Sequence, residues 1–361
     1  MPPRAPGCWW RGVPLYPPLG DVPEGLRALL VEELPRVAGD IDRLNAVPDG
    51  FLARLESEGA FTLSSVGGLL EAVRLASRSS PAVGHVILIH GMAWRLLEGR
   101  VGGRGVAAVS ITEPGGGSDV LGNLETRAEP GDGGWRVSGV KVFTSNALYA
   151  RYFLVLAAAP EGPTLYAVER GGRVRVEAMD LTTLRGAGVG RVEYLSAPAV
   201  RVGEPGRGLR EALEGINLGR LGYAAIALGI AEGALSAALE RMRTHRVFGR
   251  PLGEYQGVRW MVAETAAEAS ALAALVAHAA RAAEGAGGRV DPLAAAEAKV
   301  LGARVAQRAS WLATQLMGGR GLARWSLTER LSRDSRVLDI GEGAREVLLD
   351  FIGSRLLKSG L

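Results

Sequence analysis

The sequence predicts an α+β multidomain protein. It divides into an N-terminal helical domain over residues 1–105, a middle antiparallel β-barrel or sandwich domain over 106–205, and a C-terminal four-helix-bundle domain over 206–361. Three observations carry this reading. Up to Leu97, apolar residues recur at helical spacing, as at Leu26, Leu29, Leu30 and Leu34. From Val106 the pattern changes to short apolar or alternating runs separated by Gly-rich turns. Beyond Gly208, long Ala-rich stretches return to helical spacing. The length of 361 residues accommodates two or three such units.

In the first region, helices are expected over 24–37, 49–59, 67–77 and 81–97, with 1–20 irregular because it is rich in Pro and Gly. Pro81 suits a first helical turn. His85 and His90 lie five residues apart, on different faces of their helix, and read as core or pocket-wall residues rather than metal ligands. The run ending in His90-Gly91 has no Gly-x-Ser-x-Gly elsewhere to make an α/β-hydrolase of it. Strands are expected over 106–111, 126–128, 134–144, 152–157, 165–169, 174–178 and 192–196. Gly186-Ala-Gly-Val-Gly190 is not followed by a helical pattern, so it reads as a turn and not a dinucleotide fingerprint. Helices are expected again over 208–244, 254–284 and 292–317, near Ser326, and over 344–357; short Gly breaks between them imply a bundle.

Composition removes several function classes. Charge is nearly balanced at +4, lysine occurs only at 141, 299 and 358, and basic residues do not alternate with aromatics, so nucleic acid is not an expected partner. The single cysteine, Cys8, excludes an intramolecular disulfide and a cysteine-built metal site. Trp9-Trp10 is followed by no sustained apolar core, so no signal peptide is expected. Glu264, Glu268, His278 and Arg281 interrupt the Ala-rich stretch from 263 to 283, which therefore reads as a soluble helix and not a membrane span. The expected compartment is the cytoplasm.

Candidate chemistry concentrates between Ser110 and Asn146. An apolar strand stops at Thr112-Glu-Pro-Gly-Gly-Gly-Ser-Asp119, where three glycines let the backbone close on a ligand or on another segment. A second strand ends in Gly139-Val-Lys-Val-Phe-Thr-Ser-Asn146. Hydroxyls, glycines and one flat ring at a strand end suit a planar, phosphate-bearing cofactor; an ordinary β-meander with a Gly-rich turn has the same composition. Together these two segments resemble the flavin-binding core of the acyl-CoA dehydrogenase family. Further matches follow in order: Asn217-Leu-Gly-Arg220, Phe248-Gly-Arg-Pro-Leu-Gly-Glu-Tyr-Gln256, Gln315-Leu-Met-Gly-Gly319 and Arg333-Asp-Ser-Arg-Val-Leu-Asp-Ile-Gly-Glu-Gly343. They span the chain from about residue 48 onward.

The resemblance implies an FAD-dependent α,β-dehydrogenation of an acyl-CoA thioester, with Glu342 as the catalytic base. It implies cofactor contacts from Thr112, Ser118, Phe143, Thr144, Ser145, Arg246, Phe248, Gln256, Gln315, Gly318 and Gly319. Substrate contacts are implied for Ser118, Asn217, Arg220 and Gly343, with no metal. It further implies an electron-transfer flavoprotein as acceptor and a homo-oligomer, a dimer of dimers, in which Phe248, Gln256 and Gly318 approach a neighbour's FAD. Other readings stand beside these. Glu342 also suits a helix-end charge, Arg220 a salt-bridge partner, and the strand-end hydroxyls simple capping. A same-fold flavin oxidase or monooxygenase, or a non-catalytic flavin-binding relative, is the functional alternative. The chain departs from the family pattern in having His245 for an arginine, Gly341 for a tyrosine, Ala344 for a threonine, Leu348 for a glutamine, and a short Gly/Arg linker over 98–105. Some members carry the base on the helix before Arg220, and that position here is Gly219.

Overall fold

The structure, a computed structural model, describes residues 16–131 and 133–359. Cys8, Trp9-Trp10 and Asp132 of the expected 131–134 turn lie outside the described residues. The N-terminal helices are α1 (Glu24–Ala28) and α2 (Leu34–Leu44), joined without a break by a π-helical turn over Leu29–Glu33, then α3 (Asp49–Ser57), α4 (Val66–Ser77) and α5 (Pro81–Leu97). The first helical run thus continues to Leu44 rather than ending near Val37. Pro35 lacks an N–H and its ring crowds the preceding turn, and the wider π turn beside it absorbs that misfit so the helix continues. It stops at Asn45, which takes a left-handed φ of 53° and returns its N–H to the helix.

Seven strands follow: β1 (Ala107–Ser110), β2 (Arg127–Gly131), β3 (Gly134–Thr144), β4 (Tyr152–Ala159), β5 (Gly162–Glu169), β6 (Val174–Ala178) and β7 (Gly190–Arg201). The order β4-β2-β3-β7-β5 closes because β5 also pairs with β4, so these strands form a small barrel, with β1 and β6 added at its margins. Val137, Phe153, Val155, Tyr166, Val192 and Tyr194 fill its interior. Most pairings are antiparallel, as expected. The exceptions are β4 with β1 and, at Arg127↔Ala158, β4 with β2, both parallel. Between β1 and β4 the chain travels through the Gly-rich loop, β2 and β3, a crossover long enough to return in the same direction.

The C-terminal bundle consists of α6 (Gly208–Thr244), the small hairpin β8 (Arg246–Val247) and β9 (Arg250–Pro251), α7 (Gln256–Gly285), α8 (Pro292–Met317), α9 (Leu327–Asp334) and α10 (Arg345–Ser359). The central helix, α6, buries Ala224, Ala225, Ala227, Ala231 and Ala234, and these small side chains allow close packing against α8 and α4. Buried Arg74 of α4 pairs with Glu71 at 2.9 Å and with Glu232 of α6 at 2.8 Å, which fixes the N-terminal helices on the bundle. By length and composition α6 and α7 could cross a membrane; the apolar window of α6 is 89% buried within the protein and that of α7 only 39%.

Candidate active site

The Gly-rich loop is held by an ion pair that neither charge could form alone in this interior. Glu113 turns inward and accepts N–H bonds from Glu125 (2.8 Å) and Thr126 (2.9 Å), and Lys141 Nζ at 2.7 Å. Lys141 also donates to the Ile111 carbonyl at 2.9 Å, and Val142 N–H donates to the Thr112 carbonyl at 2.9 Å. Burial works against the Glu113 charge, but Lys141 and the two amides outweigh it and hold the carboxyl below its usual range. The motif's Glu and Lys are therefore a clamp that sets the loop against β3.

At the end of β3 the side chains part. Phe143 adopts a left-handed φ of 52° and leaves its ring 55% exposed, its N–H directed at Met179 Sδ. Thr144 faces the other way. Its hydroxyl is buried against Ser110 (3.1 Å), which also accepts from Tyr194. Strand alternation turns the Thr144 side chain into the barrel, which leaves its backbone as the part open to the implied cofactor contact. Ser145 is half-buried and shares a 2.8 Å hydrogen bond with His85 Nε2; Asn146 is buried and donates to the Val86 and Ala107 carbonyls, which pins the barrel to α5. Thr112 is half-buried beside the loop and Ser118 is exposed on it.

Glu342 stands in the loop before α10, with φ at 56°, a strained value for a residue with a side chain. The surrounding residues over-determine it. Arg220 of α6 donates through Nε to the Glu342 carbonyl (3.1 Å) and through Nη1 to Asn217 Oδ1 (2.8 Å); Lys299 of α8 donates to the Gly343 carbonyl at 2.6 Å. The Glu342 carboxylate lies directly over Gly219. A Cβ at 219 would overlap Oε2 and come within 2.7 Å of Cδ and 2.8 Å of Met92 Cε. The carboxylate is directed at α6 rather than at the α10 N-terminus, so its contacts are not those of a helix-end charge. Although the residue retains some surface exposure, protein surrounds the carboxylate closely enough that desolvation pushes its pKa up to about 7, against the pull of Arg220 and Lys299. Burial likewise brings Lys299 down to about 8, opposed by Asp339 and Glu342.

The structure therefore brings Asn217, Gly219, Arg220, Glu342 and Gly343 together. The other implied contacts of the bundle lie at its far end. Arg246, Phe248 (96% exposed), Gln256, Gln315, Gly318 and Gly319 are all surface residues, with Arg246 bonded to the Gly249 carbonyl. Arg241 reaches the Leu316 carbonyl, which joins the ends of α6 and α8 at this point. At 1.5 Å per residue, the stretch of α6 from Arg220 to Arg241 spans about 31 Å, so one chain does not bring the two groups to one place.

Sequence reasoning passed over three residues of the Glu342 site. Lys299 was visible only as one of three lysines, Met92 as an apolar helix residue. Tyr223 follows Arg220 by three residues, one turn along the same helix face, which is the signal that it shares the site. His85 does stand as a wall residue, in contact with both Ser145 and the Tyr223 ring. His90 belongs to the core, bonded to the Phe61 carbonyl and the Ala107 N–H.

Comparison with known proteins gives matches to the family models for the acyl-CoA dehydrogenase middle domain over residues 108–196 and C-terminal domain over 206–357. A short-chain-specific acyl-CoA dehydrogenase of Megasphaera elsdenii is 32% identical over 72% of this chain and 70% of its own length. The mitochondrial isovaleryl-CoA dehydrogenase of Oryza sativa subsp. japonica is 30% identical over 72% of this chain, and the match spans only 65% of that protein. The solved butyryl-CoA dehydrogenase of Megasphaera elsdenii superimposes with a TM-score of 0.84 over 94% of this chain and 98% of its own, at 24% identity, a likeness of fold.

Proposed function

The chain belongs to the acyl-CoA dehydrogenase family, and we propose that it catalyses α,β-dehydrogenation of an acyl-CoA thioester with Glu342 as the base. Members of the family are FAD-dependent oxidoreductases. The residues present fit that cofactor. An uncovered aromatic, Phe143, and the half-buried Ser145 hydroxyl, two residues on, stand at the end of the strand against which the Gly-rich loop is clamped, residues suited to a planar ring system with a polar tail. Bound FAD would supply the acceptor for the β-hydrogen as hydride.

The observation that carries the reading is the Glu342 carboxylate itself: desolvated, seated over a residue without a side chain, with its own backbone carbonyl held by Arg220. A carboxylate whose pKa is raised to about 7 has the proton affinity to take a weakly acidic α-proton. Lys299 and Arg220 hold the loop, so the base need not reorganise when the proton moves. Anaerobic mixing of the FAD-loaded protein with a series of acyl-CoA thioesters should bleach the flavin; rapid peroxide formation in air would favour the oxidase reading. Gly219→Ala tests the geometry. The new methyl displaces the carboxylate, so FAD content should hold while bleaching slows by about tenfold or more.

The assembly follows as part of the same reading: a homo-oligomer, a dimer of dimers, in which Phe248, Gln256 and Gly318 of one copy meet the cofactor of another. Two observations support it. The distal group is about 31 Å along α6 from the Glu342 site. Trp260 on α7, Leu357 on α10 and Trp311 on α8 are 61%, 88% and 57% exposed in the single chain, an apolar surface that a second copy would cover. Sedimentation should give a tetramer, and Phe248→Asp should release FAD and dissociate it together. A monomer that holds FAD tightly would contradict this. Electron-transfer flavoprotein is the proposed acceptor and the cytoplasm the proposed compartment.

A further inference from the structure

Gly341 stands where the family pattern has a tyrosine, and the space beside it is filled. A Cβ at 341 would overlap the Tyr223 hydroxyl and lie 2.8 Å from both Cε1 and Cζ of that ring. Tyr223 is 4% exposed, no described residue is hydrogen-bonded to its hydroxyl, and the Glu342 charge acts on its phenol. A phenol hydroxyl with no protein partner keeps both its donor and its acceptor capacity for a ligand. Behind it the His85 ring packs edge-on at 5.6 Å, and His85 Nδ1 is also buried without a partner. On the other flank, Met92 Cε closes against Gly219 beside the same carboxylate. Met92 and Tyr223 therefore flank the loop that carries the base, one with an apolar side chain and the other with a hydroxyl.

Resting on the dehydrogenase reading, we propose that Tyr223 is the specificity-determining residue of this site. In place of a side chain at 341, it walls the acyl end beside Glu342 and offers its hydroxyl to an oxygen function on a short acyl group. Hydroxyacyl or alkoxyacyl thioesters of about four carbons are then the substrate class, and long unsubstituted chains are excluded.

Butyryl-CoA and 4-hydroxybutyryl-CoA differ only in the oxygen at issue, and octanoyl-CoA tests length. Calorimetric Kd values on FAD-loaded protein carrying Glu342→Gln read binding without turnover. The hydroxyacyl thioester should bind about threefold to tenfold more tightly than butyryl-CoA, the scale of one neutral hydrogen bond, and octanoyl-CoA more weakly than either. Adding Tyr223→Phe, which removes one oxygen and keeps the ring, should bring the hydroxybutyryl and butyryl values together; Tyr223→Val should admit octanoyl-CoA. A preference unchanged in Tyr223→Phe, no preference at the outset, or octanoyl-CoA bound as tightly as butyryl-CoA would overturn the assignment. Failure of every thioester to bleach the native holoprotein would sink the dehydrogenase reading instead, and the Kd ratio reports on Tyr223 regardless.

Discussion

Glu342→Gln should retain FAD and bind acyl-CoA, yet lose flavin reduction by a factor on the order of a hundred or more, the scale of a positioned general base. The amide keeps the size of the carboxylate and much of its hydrogen bonding but has no proton affinity to use. If the residue served only as a charge near α10, its loss would cost about 0.3–1 kcal/mol of stability and leave turnover nearly intact. One anaerobic stopped-flow trace separates these outcomes, and a variant that reduces its flavin at near the native rate refutes the assignment.

The raised pKa adds a pH signature to the same variant. Because burial lifts the Glu342 carboxyl from 4.5 in the unfolded chain to about 7, the native site retains its proton over that interval. Reduction by the unliganded enzyme should therefore increase as pH rises through about 7, where the base becomes free. Stability runs the opposite way: the contribution of the protonated group is fully present below 4.5 and is lost as pH rises through about 7. Glutamine carries no such penalty. Between these limits Glu342→Gln should gain Tm relative to the native protein as pH increases, and a flat difference would mean that the carboxylate is not desolvated.

Periodicity and apolar run length located nearly every element: α8 buries residues at helical spacing, whereas α5 and the middle of α6 are buried all round and read as long apolar runs. It failed where a local irregularity is absorbed by tertiary structure. The first helix is expected to end at Val37, yet with a π turn beside Pro35 the helical run continues to Leu44, and nothing in residues 106–111 reveals that β1 runs parallel to β4. In the site, motif residues close together in sequence could be read, but which side of a strand each faces depends on bulges. The register of β3 against β7 shifts after Val137 and again after Lys141, so Ser145 and Thr144 could not be told apart beforehand. Replacements in space were invisible as well. Gly341 reads as a lost aromatic, whereas the ring of Tyr223, 118 residues away in the chain, occupies the adjacent space in the fold.

Lys141→Met should destabilise the fold by about 3–5 kcal/mol, the penalty for leaving one member of a buried pair uncompensated. Methionine matches the lysine stem, so packing is nearly conserved and the loss isolates the charge. Glu113 would remain anionic only at the cost of desolvation, still holding the Glu125 and Thr126 amides but without the cation 2.7 Å away. Its pKa then moves from below the usual carboxylate range to above it, and the sign of its linkage reverses. In the native protein this carboxylate stabilises at pH above its unfolded value and that contribution is lost on acidification; in Lys141→Met the protonated acid is the favoured form, so stability should decline as pH rises. Glu113→Gln combined with Lys141→Met removes both charges and keeps an acceptor for the two amides, and it should recover most of the loss in chemical denaturation. The loop that presents Thr112 and Ser118 depends on this clamp, so FAD retention should follow stability across the native protein and the two variants. A single variant as stable as the native protein at every pH would show that the pair does not hold the loop.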